Sequence, residues 1–237
     1  MKTFLAAAFG IPLLCATAAH AVEVTGGSVQ LSYSGFTSDW DVDKIAIEGS
    51  VEFGFDRSFG AQLDLGAAKF GASNEDVQSI GLHGIYHVDD YTSLGAFYVN
   101  DNFDAGDADF YGVEAGHEMA LWDFEGYLGR LDDSTADATL LGVSARYELQ
   151  NGVGITGALD HLNPEGVGDA TRLGVKIDRD VVGSDVNLFL EVGAVRADVG
   201  FGSDTETYVG IGGKYVFGAE RGATFEQRGL AKFLPGL

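Results

Sequence analysis

The chain has 237 residues, with 14 Lys and Arg against 36 Asp and Glu, and a formal net charge of -22 at pH 7. This acidic balance argues against a nucleic-acid partner, because nucleic acids are bound by basic surfaces. With 35 glycines and 3 prolines, the composition suits long paired strands with tight turns and excludes a proline-rich disordered chain.

The N-terminal segment has the pattern of an export signal. Lys2 is followed by an apolar stretch over residues 4–17 and by a small-x-small cleavage pattern over residues 19–21. We therefore predict a signal peptide over residues 1–21, since the apolar stretch is short for a membrane-spanning helix. The single cysteine, Cys15, falls inside it, so the mature chain is expected to carry no disulfide.

An apolar-Gly-apolar step recurs along the rest of the chain. Its glycines, from Gly81 to Gly210, are spaced by 30 to 36 residues, which is the length of two strands and two connections. The clearest copy covers residues 139–162. Apolar and polar residues alternate there on both sides of Asn151-Gly152, which is a strong signal for a two-residue hairpin turn.

Twelve amphipathic strands are predicted in this way, each close to the length that a tilted strand needs to cross a bilayer. An even number returns both ends of the strand array to one side of the membrane, as in bacterial outer-membrane barrels. The predicted strands cover residues 28–36, 44–56, 59–69, 78–88, 91–100, 109–119, 122–131, 139–149, 152–162, 171–179, 185–197 and 206–217.

The predicted connections alternate between a short set and a longer, acidic set. Outer-membrane barrels have short periplasmic turns and longer outer loops, so we expect the longer set to face outside and the N-terminus to lie in the periplasm. The longer connections cover residues 37–43, 71–77, 101–108, 132–138, 163–170 and 198–205.

Alternation alone does not decide which face of the strands meets water. In the second predicted strand Ile45 and Ile47 alternate with Lys44 and Glu48. A soluble barrel would bury the apolar face, whereas a membrane barrel turns it to lipid. The export signal, the strand number, the loop contrast and the many glycines on the polar face favour the membrane barrel.

Aromatic residues gather beside the short turns, as in the girdle at a membrane interface. The alternative is stabilisation of ordinary hairpins by cross-strand aromatic pairs. The residues concerned are Phe53, Phe55, Phe59, Tyr86, Tyr91, Trp122, Phe124 and Tyr147.

The last predicted strand, residues 208–217, alternates apolar residues and ends in the aromatic Phe217. It resembles the closing strand of Gram-negative outer-membrane porins, and the following tail is similar to tails on porin-like proteins of alphaproteobacteria. The chain departs from the porin pattern in two ways: it is too short for sixteen strands, and twenty residues follow Phe217. Because porins are commonly trimers, the resemblance also raises a homotrimer as one assembly state.

The polar faces set an acidic wall from strands two to seven, which includes Asp56, Asp123 and Glu125, against a more basic wall from strands eight, ten and twelve. Such a transverse field resembles the constriction of general porins. The alternative is a salt-bridged interior without a conducting path, since side chains fill small barrels. The predicted pore-lining residues are Glu48, Glu52, Asp64, Glu114, Glu118, Arg146, Arg172, Lys176 and Lys214.

Two further groups of residues are candidates for chemical sites. Asp104, Asp107 and Asp109 could bind Ca²⁺, but they do not match the twelve-residue calcium loop, so a solvated acidic loop is favoured. His83 and His87 share a polar strand face without a third ligand at a helpful spacing. Since phosphate loops and nucleophile elbows are also missing from the sequence, we predict no enzyme, no cofactor and no metal site.

The chain is thus expected to contain a signal peptide (1–21), a barrel (22–217) and a tail (218–237). The tail carries Arg228 and Lys232, and three placements stay open for it: a plug in the acidic lumen, a segment hanging in the periplasm, or a flexible terminus.

The sequence therefore predicts an all-β protein, a transmembrane antiparallel up-and-down β-barrel of twelve strands in the bacterial outer membrane. It would let small hydrophilic solutes or ions pass by diffusion, with a mild cation preference. The alternative is a non-conducting structural or adhesion barrel whose acidic loops meet ions or partners. The expected partners are outer-membrane lipid and the diffusing solutes.

Overall fold

The computed structural model describes residues 22–104, 106–133, 137–166, 168–198, 202–219 and 222–236, and the predicted signal peptide lies outside these ranges. Within them no helix is long and apolar enough to span a bilayer. The strands are β1 (Glu23–Phe36), β2 (Asp43–Gly54), β3 (Phe59–Phe70), β4 (Asp76–His87), β5 (Thr92–Phe103), β6 (Gly106–Met119), β7 (Trp122–Asp133), β8 (Ala138–Glu148), β9 (Val153–Pro164), β10 (Asp169–Asp180), β11 (Val186–Asp198) and β12 (Ser203–Gly218), followed by the helix α1 (Leu230–Phe233).

The twelve strands form one closed barrel in which each strand pairs antiparallel with its neighbours in sequence. The ring closes between β1 and β12, whose pairing runs from Gly26 opposite Gly218 to Phe36 opposite Tyr208. Closure leaves no unpaired sheet edge, which is the condition for a sheet that crosses a membrane. The predicted twelve-stranded up-and-down barrel is confirmed.

The two ends of the barrel are named here by their connections. The end that holds Glu23 and Gly218 is the turn end, and the opposite one is the loop end. Connections are two to five residues long at the turn end and two to six at the loop end. The predicted contrast in loop length is therefore wrong.

The difference arises because acidic residues at the loop end continue the strands. β5 extends to Phe103 and β6 begins at Gly106, so most of the predicted loop 101–108 is strand. Polar neighbours satisfy the carboxylates across the sheet: Asp109 accepts hydrogen bonds from Tyr98 Oη at 2.7 Å and from Asn100 Nδ2 at 2.8 Å.

The outer face of the barrel is apolar and exposed, whereas the inner face carries most of the polar side chains and is largely buried along β2 to β6 and mostly half-buried along β9 to β11. Leu82 and Val113 are 57% and 59% exposed, while the inward Gln62 and His83 are fully buried. This arrangement inverts that of a soluble barrel and fits a lipid surround. The apolar band includes Leu31, Ile47, Leu65, Ile80, Leu82, Leu94, Val113, Leu128, Val143, Leu159, Val175, Leu190 and Ile211.

Aromatic side chains stand on the outer face at the turn end and also pair across strands. The ring centroids of Phe59 and Tyr86 are 5.2 Å apart, and those of Trp122 and Tyr147 are 4.7 Å apart. Both interpretations of these residues, interface girdle and cross-strand pairing, thus fit the same rings. A second outward group nearer the loop end consists of Tyr33, Tyr98 and Tyr111.

Candidate functional site in the barrel lumen

The C-terminal tail, described over residues 222–236, runs through the lumen of the barrel. Near the turn end the Thr224 N–H donates to Glu52 Oε2 at 2.7 Å. Near the loop end Lys44 Nζ donates to the Leu234 carbonyl oxygen at 2.6 Å. Of the three placements that the sequence left open, the tail therefore takes the one inside the lumen.

Gln62 on β3 holds the first part of the tail through its backbone. Its Nε2 donates to the Phe225 carbonyl oxygen at 2.8 Å, and its Oε1 accepts the Phe225 N–H at 3.1 Å. The side-chain amide thus gives this buried backbone the two partners that a neighbouring strand would supply. The Phe225 ring stacks on His83 with the ring centroids 6.3 Å apart. It faces Gly95, where a Cβ would come within 2.7 Å of the ring, so that glycine leaves room for the tail.

Arg228 places its guanidinium between two wall carboxylates and an aromatic ring. Its Nε lies 3.0 Å from Glu114 Oε2, and its Nη2 donates to Glu125 Oε1. Its guanidinium carbon lies 4.4 Å from the centre of the Tyr127 ring. The side chain is nearly dehydrated, with 8% of Arg228 exposed. Charge-assisted hydrogen bonds and a cation–π contact therefore act together, and Glu114, Glu125 and Tyr127 are called the guanidinium site below.

Buried residues fix Glu114 from behind. His83 Nδ1 lies 2.6 Å from Glu114 Oε1, and His83 Nε2 lies 2.9 Å from Asp64 Oδ2. Ionised carboxylates only accept hydrogen bonds, so an imidazole between two of them donates from both nitrogens and carries a positive charge. This cation offsets part of the negative charge and leaves the second oxygen of Glu114 directed at the tail.

Asp101 on β5 anchors the short helix of the tail. Its Oδ2 accepts the N–H groups of Leu230 at 2.6 Å and Ala231 at 3.1 Å, while its Oδ1 accepts from Ser79 Oγ at 2.5 Å. The first N–H groups of a helix have no partner within the helix, and this carboxylate supplies one. The start of α1 is thereby tied to the barrel wall.

Phe233 fills an apolar pocket in the wall and is 3% exposed. The pocket adjoins the guanidinium site, because the Phe110 ring lies 6.1 Å from the Tyr127 ring, centre to centre. Apolar residues on the inner face of β5 to β8 would meet lumen water without this side chain, so the pocket and the ring stabilise each other. The buried cluster consists of Phe97, Val99, Ala108, Phe110, Leu131, Ala138, Leu140 and Phe233.

The wall across the lumen holds the tail through Arg172. Its Nη1 donates to the Lys232 carbonyl oxygen at 3.0 Å, and its Nη2 lies 2.7 Å from Glu191 Oε1. Tyr208 Oη accepts from Arg172 Nε at 2.9 Å. This arginine is thus neutralised by its own wall and uses one remaining donor on the tail.

The charges of the tail match the walls that they face. Glu226 lies 3.4 Å from Lys214 Nζ, and Lys232 Nζ lies 3.3 Å from Glu48 Oε2. Arg228 faces the guanidinium site. Since Glu226, Arg228 and Lys232 each have an opposite partner, the tail does not carry the large cost of an isolated buried ion.

Little space remains beside the tail where it passes β2 to β4. The cavity there has a volume of ≈ 20 Å³, room for about one water molecule. A terminal peptide thus takes up space that wall side chains leave free. The cavity is lined by Lys44, Ala46, Glu48, Gly66, Ala67, Ala68, Ser79, Gln227, Arg228, Ala231 and Lys232.

Comparison with known proteins identifies the architecture. No family model and no curated protein matches the chain. The KdgM porin in complex with disordered oligogalacturonate superposes with a TM-score of 0.62, covering 80% of this chain and 99% of the porin at 12% identity. An outer-membrane channel from Pseudomonas putida F1 gives 0.61, covering 84% and 97% at 12% identity, and the NanC porin gives 0.59, covering 80% and 98% at 10% identity.

The fold is that of an outer-membrane porin. The porin-type barrel places all nine predicted pore-lining side chains on its inner face. That these residues line a conducting path stays a prediction. Those that contact the tail are Glu48, Glu52, Glu114, Arg172 and Lys214.

The other four predicted residues contact the wall. Asp64 holds His83, and Arg146 forms an ion pair with Asp178 at 2.9 Å. Lys176 Nζ lies 5.7 Å from the centre of the Phe189 ring, and Glu118 is half-buried at the turn end. Because the arginines of β8 and β10 have carboxylate partners nearby, the contrast between an acidic and a basic wall is smaller than predicted.

Several residues that hold the tail, among them Gln62, Tyr127 and Asp101, were not among the predicted pore-lining residues. Gln62 lies two positions before Asp64, and Tyr127 lies two positions after Glu125. Because every second residue of a strand points to the same face, the sequence already indicated that both point inward. Asp101 was placed in a loop, and no local signal showed that its strand continues. The missed residues thus include a neutral amide, an aromatic ring and a carboxylate that was assigned to a loop.

The histidines weighed for chemistry are wall residues. Both nitrogens of His83 are bound by carboxylates, which leaves no lone pair to act as a base. His87 Nδ1 lies 2.9 Å from Ser93 Oγ, but its Nε2 is 3.9 Å from Glu52, beyond hydrogen-bond distance. Among the residues that the structure describes, no three His, Cys, Asp or Glu side chains are grouped as metal ligands.

Proposed function

We propose that this chain is an outer-membrane channel for the diffusion of small hydrophilic solutes or ions, closed in this structure by its own C-terminal tail. The observation that carries the proposal is the way the lumen is filled. The wall does not fill it with its own side chains, because a peptide attached to the barrel at one end occupies it. If the tail left, a charged, water-accessible lumen would remain.

The proposal includes the route of the chain to the membrane. Residues 1–21 would direct export, and the turn end would lie on the periplasmic side, as the termini of bacterial barrels do. The apolar outer band supports a position in the outer-membrane lipid. A homotrimer stays a prediction, which chemical cross-linking in membranes tests.

The wall composition supports a mild cation preference. With the tail gone, Glu48, Glu114 and Glu125 lose the cationic partners that Arg228 and Lys232 supply. Carboxylates then outnumber cations on the inner face of β2 to β7, and cations are concentrated there. The preference belongs to the open state, because Arg228 and Lys232 neutralise these carboxylates while the tail is docked.

Planar-bilayer recording on purified, folded protein tests the proposal. The double variant R228A/F233A loosens the tail at the guanidinium site and the apolar pocket while keeping the full chain. We expect more frequent opening than in the wild type, with a reversal potential in a KCl gradient on the potassium side. A reversal potential on the chloride side would reject the selectivity.

A second candidate function is a non-conducting structural barrel, and the tail favours it as well. Buried ion pairs hold the tail across the lumen, and the cavity beside the tail at β2 to β4 has room for only about one water molecule. If R228A/F233A releases its tail to protease and yet passes no current, the structural barrel is the correct reading.

A further inference from the structure

The guanidinium site is built by the barrel and not by the tail. Glu114 comes from β6, and Glu125 and Tyr127 come from β7; all three point inward from adjacent strands. Glu114 is directly opposite Tyr127 in the register. Side chains held on paired strands keep their spacing when the tail leaves, so the site persists in the open lumen.

Two members of the site, Glu114 and Tyr127, are held by further wall residues. Glu114 is fixed by the buried His83, and Tyr127 Oη donates to Asp160 Oδ1 at 2.7 Å. The Tyr127 ring also borders the apolar pocket through Phe97, with ring centres 6.4 Å apart. These contacts orient the carboxylate and the ring from the wall side, independently of the tail.

The chemistry of the site selects one class of cation. Two carboxylates can share the planar donors of a guanidinium, and a flat cation stacks on an aromatic face. A compact ammonium has no plane to stack and a less suitable donor geometry. The adjoining pocket, which takes Phe233 in this structure, adds apolar surface next to the cation.

We propose that this site binds guanidinium-bearing small solutes and that Arg228 occupies it as a tethered substitute for such a solute. A solute that reaches the site displaces Arg228 and weakens the hold of the tail on the lumen. Entry of the solute and opening of the barrel are then coupled, because both compete for the same carboxylates. This inference deepens the proposed channel function and rests on it for the transport role, but binding itself does not require conduction.

The covalent attachment of Arg228 to the barrel determines how strongly it competes with a free solute. Arg228 competes from within the same chain at an effective concentration on the order of 1 mM or more, as short tethers do. Removing it in R228A frees the site, so we expect argininamide to bind R228A at least about tenfold more tightly than the wild type. The amide is used because a free carboxylate would be repelled by the acidic wall.

Isothermal titration calorimetry of the full-length protein in detergent micelles measures this binding. Citrullinamide is the matched control solute, since it has nearly the same shape and the same α-amino group but a neutral urea in place of the guanidinium, and we expect no binding to either protein. In R228A/E125Q, the loss of one charge-assisted hydrogen bond is expected to weaken argininamide binding about tenfold or more. Equal binding of both solutes to folded R228A, or affinity unchanged by E125Q, would overturn the proposal.

A second measurement uses the unmodified chain in case R228A folds poorly. Chymotrypsin cuts after Phe225 and Phe233 once the tail leaves the lumen, and the cleavage is followed by mass spectrometry. Argininamide is expected to raise the cleavage rate in a concentration-dependent way, and citrullinamide is not. No acceleration by argininamide rejects the competition. Binding without any current in planar bilayers would instead reject the channel and keep the site.

Discussion

Phe233→Ala removes a buried apolar contact between the tail and the barrel. The ring is 3% exposed and packs among Phe97, Phe110 and their neighbours. Truncating such a buried ring costs about 3–5 kcal/mol. The contact exists only while the tail is docked, so the substitution makes the free energy of tail docking less favourable and leaves the barrel itself intact. We expect the lower end of this range, because water in the lumen can enter the vacated pocket. A loss of about 3 kcal/mol corresponds to roughly a hundredfold increase in the fraction of molecules with an undocked tail.

Limited trypsin digestion measures that population. Trypsin cuts after Arg228 and Lys232, which are enclosed while the tail is docked, and the cleavage rate follows the open fraction when closing is fast. We expect Phe233→Ala to raise the rate of tail cleavage about a hundredfold. Phe55→Ala, an outward aromatic that is 44% exposed, is the matched control and is expected to leave the rate unchanged. The same tail-cleavage rate in Phe233→Ala and wild type would refute the docking of this ring.

Three further predictions test the lipid-facing band, the packing of the wall and the charge network. Leu82→Arg, near the middle of β4 on the outer face, is expected to lower the free energy of unfolding in lipid vesicles by about 2–4 kcal/mol, and no loss would contradict a lipid surround. Gly129→Ala would put a Cβ 2.4 Å from an aromatic ring and is expected to lower the free energy of unfolding, measured by urea titration, by about 1–3 kcal/mol. Gly157→Ala meets no atom within 4 Å and is expected to leave that free energy unchanged. Equal effects of the two variants would contradict the packing around Gly129. Glu114→Gln removes a negative charge beside the imidazolium of His83 and the guanidinium of Arg228, so the rate of tryptic cleavage of the tail is expected to rise about a hundredfold. Glu148→Gln is the control, because the Glu148 carboxylate pairs with the wall residue Arg146 at 3.1 Å, and it is expected to keep the wild-type rate.

Strand number and strand pairing could be predicted because each strand repeats the same alternation. In β8 and β9 the outward apolar residues occupy every second position on both sides of the turn. The turn itself differs from the predicted two-residue type: Leu149 N–H donates to the Val153 carbonyl oxygen around residues 150–152, and of these only Gly152 has a positive φ, so the register is one residue from that of an Asn-Gly turn. The period of the glycines from Gly81 to Gly210 then extends one hairpin to the whole ring. Local pattern and global fold agree here, so the sequence alone was sufficient.

Strand ends at the loop end could not be predicted from composition. Asp101 reads as a loop residue because aspartate is disfavoured in strands, and the predicted strand starts only at Asp109. In the folded chain each has partners that exist only after pairing: Ser79 and the tail for Asp101, Tyr98 and Asn100 for Asp109. Tertiary contacts thus override the local preference.

The alternation of side chains along each strand was sufficient to predict that the candidate site residues point inward, but it did not predict which residues they contact. Glu114 and Arg228 are separated by 114 positions, and the tail has no period that marks it as part of the barrel. Only its net positive charge beside an acidic wall hinted at the lumen. Which carboxylates receive Arg228 depends on the path of the tail and therefore on the whole fold.

Hydrogen exchange of the tail in the intact protein, embedded in lipid nanodiscs, tests the central claim most directly. The N–H groups of Thr224, Phe225 and Leu230 donate to buried carboxylate and amide oxygens of the wall. Peptides that cover residues 222–236 are therefore expected to exchange slowly, at rates nearer to those of the strands than to those of an unstructured peptide. Complete exchange of these peptides at the unstructured rate, with the strands still protected, would contradict a tail enclosed in the lumen.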